Sequence, residues 1–340
     1  MSLSTLGCLK ALALITLGIG HIKVVEATTS RHIDAFNFIE KTLSRPSSEI
    51  DLARTKLTID QFVDPSINIE QSLEDLNRIA QTVHSASTPD MTAIDRMMSL
   101  RAYLYEGGYW NQFNPYQYDF NDPLGTKLHN QLLPTYLSTK KGNCISMPFL
   151  FIVLAEKLGL DVTVATAPLH VFVKFKDPMT GQVFNLETTN GAKIENDNFY
   201  NEMMPMTDTA IKNGVYLKSL NKKETVAVMT IVLSEYYAEQ KQWQNGIDIV
   251  TLILKYYPNY AYAMLKLGNF YSDLLQEKVK FFRAKGTITK TEKEHLDDLH
   301  AQNQGWFTKA EAIGWQPVSP DTNAKYMRDM KQRANNQQHR

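Results

Sequence analysis

The spacing of apolar residues changes twice along this chain, and that change restricts the fold more than any other feature of the sequence. From Arg31 to Glu106, apolar residues recur every three or four positions, as on one face of an α-helix. Between Val162 and Glu187 they alternate with a period of two, which is typical of half-buried β-strands. Beyond Thr225 the helical spacing returns. This order predicts an α+β fold in which helical regions flank a small antiparallel sheet.

Length, composition and charge limit the classes of function. With 340 residues, the chain is long enough for one large domain or two modest ones. Hydrophobic residues make up 43% and charged residues 21%, which are the proportions of an ordinary globular protein. Lysine and arginine total 36, as do aspartate and glutamate, so no net positive charge is available to attract phosphate groups. We therefore expect no nucleic-acid binding.

The amino terminus predicts export. The apolar stretch Ala11–Gly20 spans ten residues, which is too short to cross a bilayer core of about 30 Å but suits a signal peptide. Val25-Glu26-Ala27 offers a cleavage site, so residues 1–27 form the predicted signal peptide and the mature chain begins at Thr28. The alternative is an uncleaved anchor made from Leu3–Val25. Both interpretations predict a periplasmic or secreted protein, and only the second predicts membrane attachment.

The number of cysteines limits the disulfide, metal and thiol chemistry that the protein could have. The sequence contains Cys8 and Cys144, and signal cleavage would remove the first. One remaining thiol cannot form a disulfide, and the residue spacings of a zinc site are absent. We therefore expect neither a metal nor a cofactor. A lone thiol in an exported protein is either a small buried apolar residue or a reactive group.

Cys144 is predicted to lie at the start of a helix. The apolar run Cys144–Leu158 predicts a buried helix, and Lys140–Asn143 before it predicts a turn. Pro148 is tolerated only in the first turn, so the helix cannot begin much before Cys144. A helix N-terminus stabilises a thiolate, which is the reactive form of the side chain. Cys144 is therefore a candidate nucleophile.

The sequence also predicts a β-hairpin that carries a candidate partner for that thiol, His170. His170–Phe175 and Val183–Glu187 have strand composition and are separated by a six-residue turn. If the apolar faces of both strands meet one core, this turn allows a register in which His170 lies directly opposite Glu187. A slip of two residues would leave the pair diagonal and still within side-chain reach. Either register predicts an imidazole beside a carboxylate, on the face opposite the apolar residues.

Together these residues form a candidate catalytic site. Cys144, His170 and Glu187 supply a nucleophile, a general base and a carboxylate that could orient the base. Asn185 shares a strand face with Glu187 and is a rival for the orienting role. The backbone N–H of Cys144 would face the oxyanion formed during acyl transfer. Two side chains are candidates for a second oxyanion donor: Asn143 and Tyr136.

Four segments of the chain carry a resemblance to a known family. They are Tyr118–Pro123, Lys141–Ser146, Leu154–Leu160 and Ala167–Val173. Their order and composition resemble the transglutaminase-like superfamily of papain-related thiol enzymes and, more narrowly, its SirB-type bacterial branch. The resemblance covers roughly residues 50–270.

The resemblance implies a role for each residue of the site. It makes Cys144 the nucleophile, His170 the base and Glu187 the counterpart of the aspartate that is usual in the family. Some members of the branch lack the cysteine, so the fold alone does not imply catalysis.

The last third of the chain contains two units that resemble tetratricopeptide repeats. The first is marked by Leu233, Tyr237 and Pro258, and the second, 34 residues later, by Leu267, Gly268 and Tyr271. Gly246 stands where the repeat consensus has alanine. Two units are too few for a free-standing solenoid, so we expect them to pack on the preceding domain.

Two segments could border a substrate groove. The aromatic segment 107–123 could wall a groove or fix a long connection to the core. The methionines at 203, 204 and 206 could cover the mouth of the site or fill gaps in the core.

These observations divide the chain into five predicted parts. They are a signal peptide (1–27), a helical N-terminal region (28–106), a transglutaminase-like core (107–224), tetratricopeptide-like helical repeats (225–318) and a polar tail (319–340). The expected function is hydrolysis of an amide or peptide, or acyl transfer, through a Cys144 thioester. The alternative is a protein-binding module without turnover. A protein or peptide is the expected substrate, and the repeats could bind a protein partner.

Overall fold

The structure is a computed structural model that describes residues 30–338. The predicted signal peptide, including Cys8, lies outside these residues. Residues 30–44 form helix α1, which belongs to a compact unit separate from the one that begins at Arg45. The other helices are α2 (Leu52–Val63), α3 (Ile69–Ser85), α4 (Ala93–Tyr105), α5 (Leu133–Thr139), α6 (Ser146–Lys157), α7 (Asp197–Met203), α8 (Asp208–Lys212), α9 (Lys222–Glu239), α10 (Trp243–Tyr256), α11 (Ala261–Lys285), α12 (Lys290–Ala312) and α13 (Pro320–Gln338).

Local capping residues set the starts of the first helices. The Asp51 side chain accepts a hydrogen bond from the backbone N–H of Arg54 at the start of α2. Thr92 and Asp95 form a reciprocal capping box at the start of α4. Each cap satisfies backbone N–H groups that have no partner within the helix.

The predicted α+β fold is confirmed. Four antiparallel strands form one sheet in the order β3 (Val162–Ala167), β4 (His170–Lys176), β5 (Val183–Glu187) and β6 (Lys193–Glu195). Two further strands, β1 (Gln117–Tyr118) and β2 (Lys141–Gly142), pair in parallel. The prediction of a simple turn over Lys140–Asn143 was therefore wrong, because Lys141–Gly142 is held by backbone pairing with β1. This pairing places Tyr118 next to the segment that leads to Cys144.

The β4–β5 register differs from direct opposition of His170 and Glu187. Val173 pairs with Leu186, and Phe175 pairs with Phe184. The strands therefore show the alternative two-residue offset, which leaves His170 diagonal to Glu187. The turn explains the offset, because Asp177 pairs with Gln182 and its carboxylate accepts hydrogen bonds from the turn residues that follow it.

The faces of the hairpin follow the predicted alternation. Val171, Val173 and Leu186 are buried on one side, and Phe184, near the end of the hairpin, is half-buried.

Helix α6 forms the centre of the core. Its first ten residues are all buried, because α6 packs against β3 and β4 as well as against α3, α4 and α5. It begins at Ser146 and not at Cys144 as predicted. Pro148 has no N–H to bond the carbonyl of Cys144, so the regular helical hydrogen bonds start after that residue. The Asn143 side-chain carbonyl accepts hydrogen bonds from the N–H groups of Ile145 and Ser146, and its backbone carbonyl accepts one from Met147, so Cys144 lies in a capped turn directly before α6.

Successive helices pack on one another in the carboxyl-terminal region. Helix α10 lies against both α9 and α11, α11 lies against α12, and α9 also packs on α2. Gly246 in α10 is explained by the Phe270 ring, since a Cβ added at Gly246 would lie 2.3 Å from that ring. The assignment of these helices as tetratricopeptide repeats stays a prediction.

A helix occupies most of the segment predicted to be a polar tail. In α13, Ser319 accepts a hydrogen bond from the N–H of Thr322, and Pro320 is the first helical residue. Helix α13 continues to Gln338. Within residues 30–338, no helix combines the length and the apolar character needed to cross a membrane.

Candidate active site

The thiol lies between a short strand and the central helix. Cys144 follows β2 by one residue and precedes α6 by one residue. Only 3% of Cys144 is exposed. The Asn143 cap leaves Cys144 immediately outside the first turn of α6, where backbone N–H groups still lack partners within the helix. The local sequence thus presents the thiol at a helix N-terminus, as predicted, but from a position before the helix.

The imidazole is held at the end of the sheet by a two-residue turn. Ala167 pairs with His170, so Pro168 and Leu169 alone connect β3 to β4. Leu169 has φ 55°, a left-handed conformation that is unfavourable for a residue with a side chain. The Leu169 side chain is 55% exposed, whereas His170 is buried. This turn fixes His170 as the first residue of its strand.

The predicted contact between His170 and Glu187 is present despite the offset register. His170 Nε2 lies 2.7 Å from Glu187 Oε2. The second oxygen, Oε1, accepts hydrogen bonds from both the backbone N–H and the hydroxyl of Thr189. Both oxygens of this buried carboxylate are therefore bound by protein groups.

The two side chains form an ion pair in a water-poor site. Burial alone would lower the pKa of His170, but the Glu187 carboxylate and the Cys144 side chain raise it from 6.5 to about 10. Burial also opposes ionisation of Glu187, yet the imidazolium and Thr189 keep the pKa of that carboxyl below its usual value of 4.5. The charged pair of imidazolium and carboxylate is therefore the stable form near neutral pH.

The second ring nitrogen faces the thiol. Because Nε2 is bound to Glu187, the interaction between His170 and Cys144 must use Nδ1. Nδ1 is buried, and no described residue approaches it with full hydrogen-bond geometry. The contact with the Cys144 sulfur therefore falls short of full hydrogen-bond geometry, as is common in enzymes without bound substrate.

The other predicted site residues have different positions. Asn185 does not orient the imidazole, because its side-chain N–H₂ donates to Asp197 Oδ1 at 2.7 Å. The Tyr136 ring packs against Tyr116, with centroids 5.1 Å apart, and against the backbone of Gly142. Asn143 uses its carbonyl oxygen as the helix cap, and its buried Nδ2 has no partner among the described residues. The buried Tyr136 hydroxyl also has no partner among the described residues, so Asn143 and Tyr136 both retain a free donor, whereas Asn185 does not.

Three residues at the site were not predicted to belong to it. Thr189 binds Glu187, and its place two residues after the acid on the same segment was a usable sequence signal. Tyr200 in α7 stacks on Phe172, with ring centroids 3.9 Å apart, and its ring lies 6.1 Å from that of His170. Tyr118 is buried near Cys144, and burial, followed by the electrostatic interaction with Cys144, raises the pKa of Tyr118. The last two depend on tertiary packing.

A cavity of about 180 Å³ borders the imidazole and the carboxylate. Its walls include Phe199 and Met203 of α7, so Met203 lies at the site whereas Met204 and Met206 are buried in the core.

The aromatic segment 107–123 contains both buried and exposed rings. Tyr116 and Tyr118 are buried, while three residues project outward: Tyr109, Trp110 and Phe113.

Other parts of the described chain offer no comparable chemistry. A larger cavity, of about 390 Å³, is lined by residues such as Ile152, Glu156 and Lys222 and contains none of the three candidate catalytic residues. Over residues 30–338, no group of three or more histidine, cysteine or acidic side chains has the arrangement of a metal site.

Comparison with known proteins gives one match, to a family model. Residues 70–230 match a family model described as the transglutaminase-like superfamily, and this segment contains Cys144, His170 and Glu187. No curated protein and no solved structure matches the chain. With a buried thiol before the central helix and a paired imidazole and carboxylate on the adjoining sheet, residues 70–230 constitute a transglutaminase-like superfamily domain within an α+β protein.

Proposed function

We propose that the protein is an exported cysteine-dependent enzyme that cleaves an amide or transfers its acyl group through a thioester on Cys144. The observation that supports this most directly is the buried imidazole of His170, held between the Glu187 carboxylate and the Cys144 thiol. A raised pKa of the imidazole favours the imidazolium, which stabilises a thiolate beside it.

In the proposed reaction, Nε2 of His170 stays bound to Glu187 and Nδ1 transfers the proton. The Cys144 thiolate attacks the carbonyl carbon, forming a C–S bond and a tetrahedral oxyanion. The imidazolium at Nδ1 then donates its proton to the leaving nitrogen as the C–N bond breaks, which leaves a thioester and a neutral His170. Water, or an amine acceptor, attacks the thioester and gives its proton to His170. Departure of the thiolate restores the starting ion pair.

The oxyanion would be stabilised at the start of α6. The backbone N–H of Cys144 lies where the helix has not yet formed its internal hydrogen bonds. The Nδ2 of Asn143 and the hydroxyl of Tyr136 are the candidate second donors, since both are buried and without a partner among the described residues.

The glutamate in place of aspartate fits the observed register. A diagonal pair lies farther apart than a directly opposed pair by roughly 2–3 Å between Cβ atoms. The additional methylene of Glu187 spans part of that difference and still gives a 2.7 Å contact with Nε2. The departure from the family pattern is therefore compatible with an active site.

One observation favours a second function, a binding module without turnover. The thiol is 3% exposed, and the adjoining cavity is closed on one side by α13. In this alternative the domain and the carboxyl-terminal helices together bind a protein partner, and Cys144 is a buried apolar residue.

Labelling with an electrophilic amide probe distinguishes the two functions. The enzyme predicts covalent labelling of the parent protein, no labelling of Cys144→Ala, and strongly reduced labelling of His170→Ala. Equal and slow labelling of the parent and His170→Ala would favour the binding module. Circular dichroism of each variant checks that the fold is retained.

A further inference from the structure

The carboxyl-terminal helix α13 lies across the candidate active site. The cavity beside His170 and Glu187 is bounded by α7 on one side and by α13 on the other, where Tyr326 and Met330 contribute to its wall. Both residues belong to the same compact unit as the site. Access to the imidazole from this cavity therefore depends on the position of α13.

One narrow face of α13 makes this contact. Tyr326 is half-buried and Met330 is 5% exposed, while Asp321, Lys325, Arg328 and Asp329 are exposed. A spacing of four residues puts Tyr326 and Met330 on the same side of the helix. We call these two residues the closing face of α13. Met327 is also half-buried, whereas the other described side chains of α13 are polar or small and mostly exposed, so little apolar area holds the helix in place.

The closing face also contacts Tyr118, which lies beside Cys144. The Tyr326 side chain forms a hydrogen bond with the hydroxyl of Tyr118, which in turn donates to the carbonyl of Pro123 at 2.7 Å. Tyr118 lies beside Cys144, whereas the cavity borders His170 and Glu187. Helix α13 thus spans both halves of the site and accounts for part of the burial of its reactive groups.

The connection to α12 would allow α13 to leave while remaining attached. Gly314 is anchored by the Thr207 hydroxyl, which donates to its carbonyl at 2.6 Å, and it adopts φ 103°. Most of residues 316–319 are exposed. A short exposed segment between a fixed point and a weakly held helix has the properties of a hinge.

We propose that α13 is an intramolecular ligand that closes the substrate groove through Tyr326 and Met330. The groove accordingly binds an amphipathic helix with an aromatic residue and a methionine four positions apart, and a peptide substrate reaches Cys144 only when α13 is displaced. This inference rests on the proposed function for its catalytic meaning. The closure itself concerns access to the thiol and can be measured separately.

The test measures access to Cys144 in the full-length protein with Cys8→Ser, so that one thiol remains. Iodoacetamide labelling is followed at pH 9, where accessible thiols are largely ionised without help from a histidine. If α13 covers the thiol, Met330→Glu increases the labelling rate by at least about tenfold, because it raises a small open population. The matched control is Gln332→Glu, which adds the same charge at an exposed position of the same helix and should leave the rate unchanged.

A peptide of residues 320–338, added to the Met330→Glu protein, provides the second arm. The parent peptide should restore slow labelling in a saturable manner, and a peptide with both Tyr326→Ala and Met330→Glu should not. Hydrogen exchange of α13 confirms whether the helix has left the site. Fast exchange of α13 with unchanged or slower labelling of Cys144 would overturn the proposal. If access rises at pH 9 but His170→Ala has no effect on labelling at acidic pH, the closure holds and the proposed catalysis fails.

Discussion

The two oxygens of the Glu187 carboxylate bind different partners, and this division explains the charge state of the site. Oε2 contacts His170, and Oε1 accepts two hydrogen bonds from Thr189. A buried carboxylate with fewer partners would favour its neutral form. The local arrangement thus keeps the negative charge that stabilises the imidazolium, and the imidazolium is the group that can stabilise a thiolate.

The pH dependence of thiol labelling tests this link. In the parent, iodoacetamide labelling of Cys144 should remain fast well below pH 8, because the imidazolium stabilises the thiolate. His170→Ala should remove the reactivity at low pH. Glu187→Gln should retain part of it, since the helix N-terminus still favours the anion. Identical pH profiles for all three proteins between pH 5 and 9 would show that Cys144 does not respond to His170.

Thr189 is expected to act by positioning Glu187. Thr189→Val removes the hydroxyl donor but keeps the backbone N–H, and the loss of one hydrogen bond to a charged group should reduce probe labelling by about 10-fold. It should also shift the acidic limb of the labelling profile to higher pH. Thr189→Ser keeps the hydroxyl and should restore both properties. A loss of labelling in Thr189→Val without any change in the pH profile would indicate a packing role only.

At the scale of elements, the helices and strands follow local sequence signals, while their exact limits follow side-chain hydrogen bonds. Asn143 caps the turn that precedes α6, and Asp177 shortens the turn between β4 and β5. Both residues bind backbone N–H groups within three positions of themselves. A pattern of apolar residues does not register such contacts, so boundaries predicted from periodicity were wrong by two residues at these points.

Two glycine-to-alanine substitutions test the packing of the carboxyl-terminal helices. Gly246→Ala would place its Cβ 2.3 Å from the Phe270 ring, so it should lower the free energy of unfolding by about 1–3 kcal/mol. Gly305→Ala in α12 meets no atom within 4 Å and should raise it by about 0.5–1 kcal/mol. Urea unfolding measures both effects. Stabilisation by Gly246→Ala would mean that alanine fits α10, as in the repeat consensus.

At the scale of the whole molecule, the buried ion pair couples stability to pH. The pKa of His170 is raised in the folded protein, so its contribution is complete below about pH 6.5 and is lost as the pH rises towards 10. The pKa of Glu187 is lowered, so its contribution is present above about pH 4.5 and is lost in more acidic solution.

The pair should therefore stabilise the protein most between about pH 5 and 6.5. We expect the difference in free energy of unfolding between the parent and the double variant His170→Ala/Glu187→Ala to be largest in that range. It should decline by a few kcal/mol as the pH is raised to about 10. Denaturant titrations at several pH values measure this difference. A difference that does not vary with pH would contradict a charged pair.

The proposed export predicts where the mature chain begins and how many thiols it contains. Cleavage after Ala27 should produce a chain that begins near Thr28 and contains one titratable thiol, Cys144. Mass spectrometry and thiol titration of the protein purified from its native compartment measure both. A full-length chain with two thiols would support the anchor formed by Leu3–Val25.

The sequence by itself determined the α+β class, the position of Cys144 near a helix start and the shared face of His170 and Glu187. The fold class and the shared face follow from apolar residues spaced with periods of 3.6 and two residues, and the position of Cys144 follows from where a helix tolerates proline. Both effects act within a few positions of the chain. Tertiary structure decided which groups meet across the fold. The diagonal contact of His170 with Glu187 depends on the turn at Asp177, and the closing face of α13 depends on a groove built from distant segments. The start of α13 is encoded locally by Ser319 and Pro320, but its place over the site is not, because docking depends on apolar area that other elements supply.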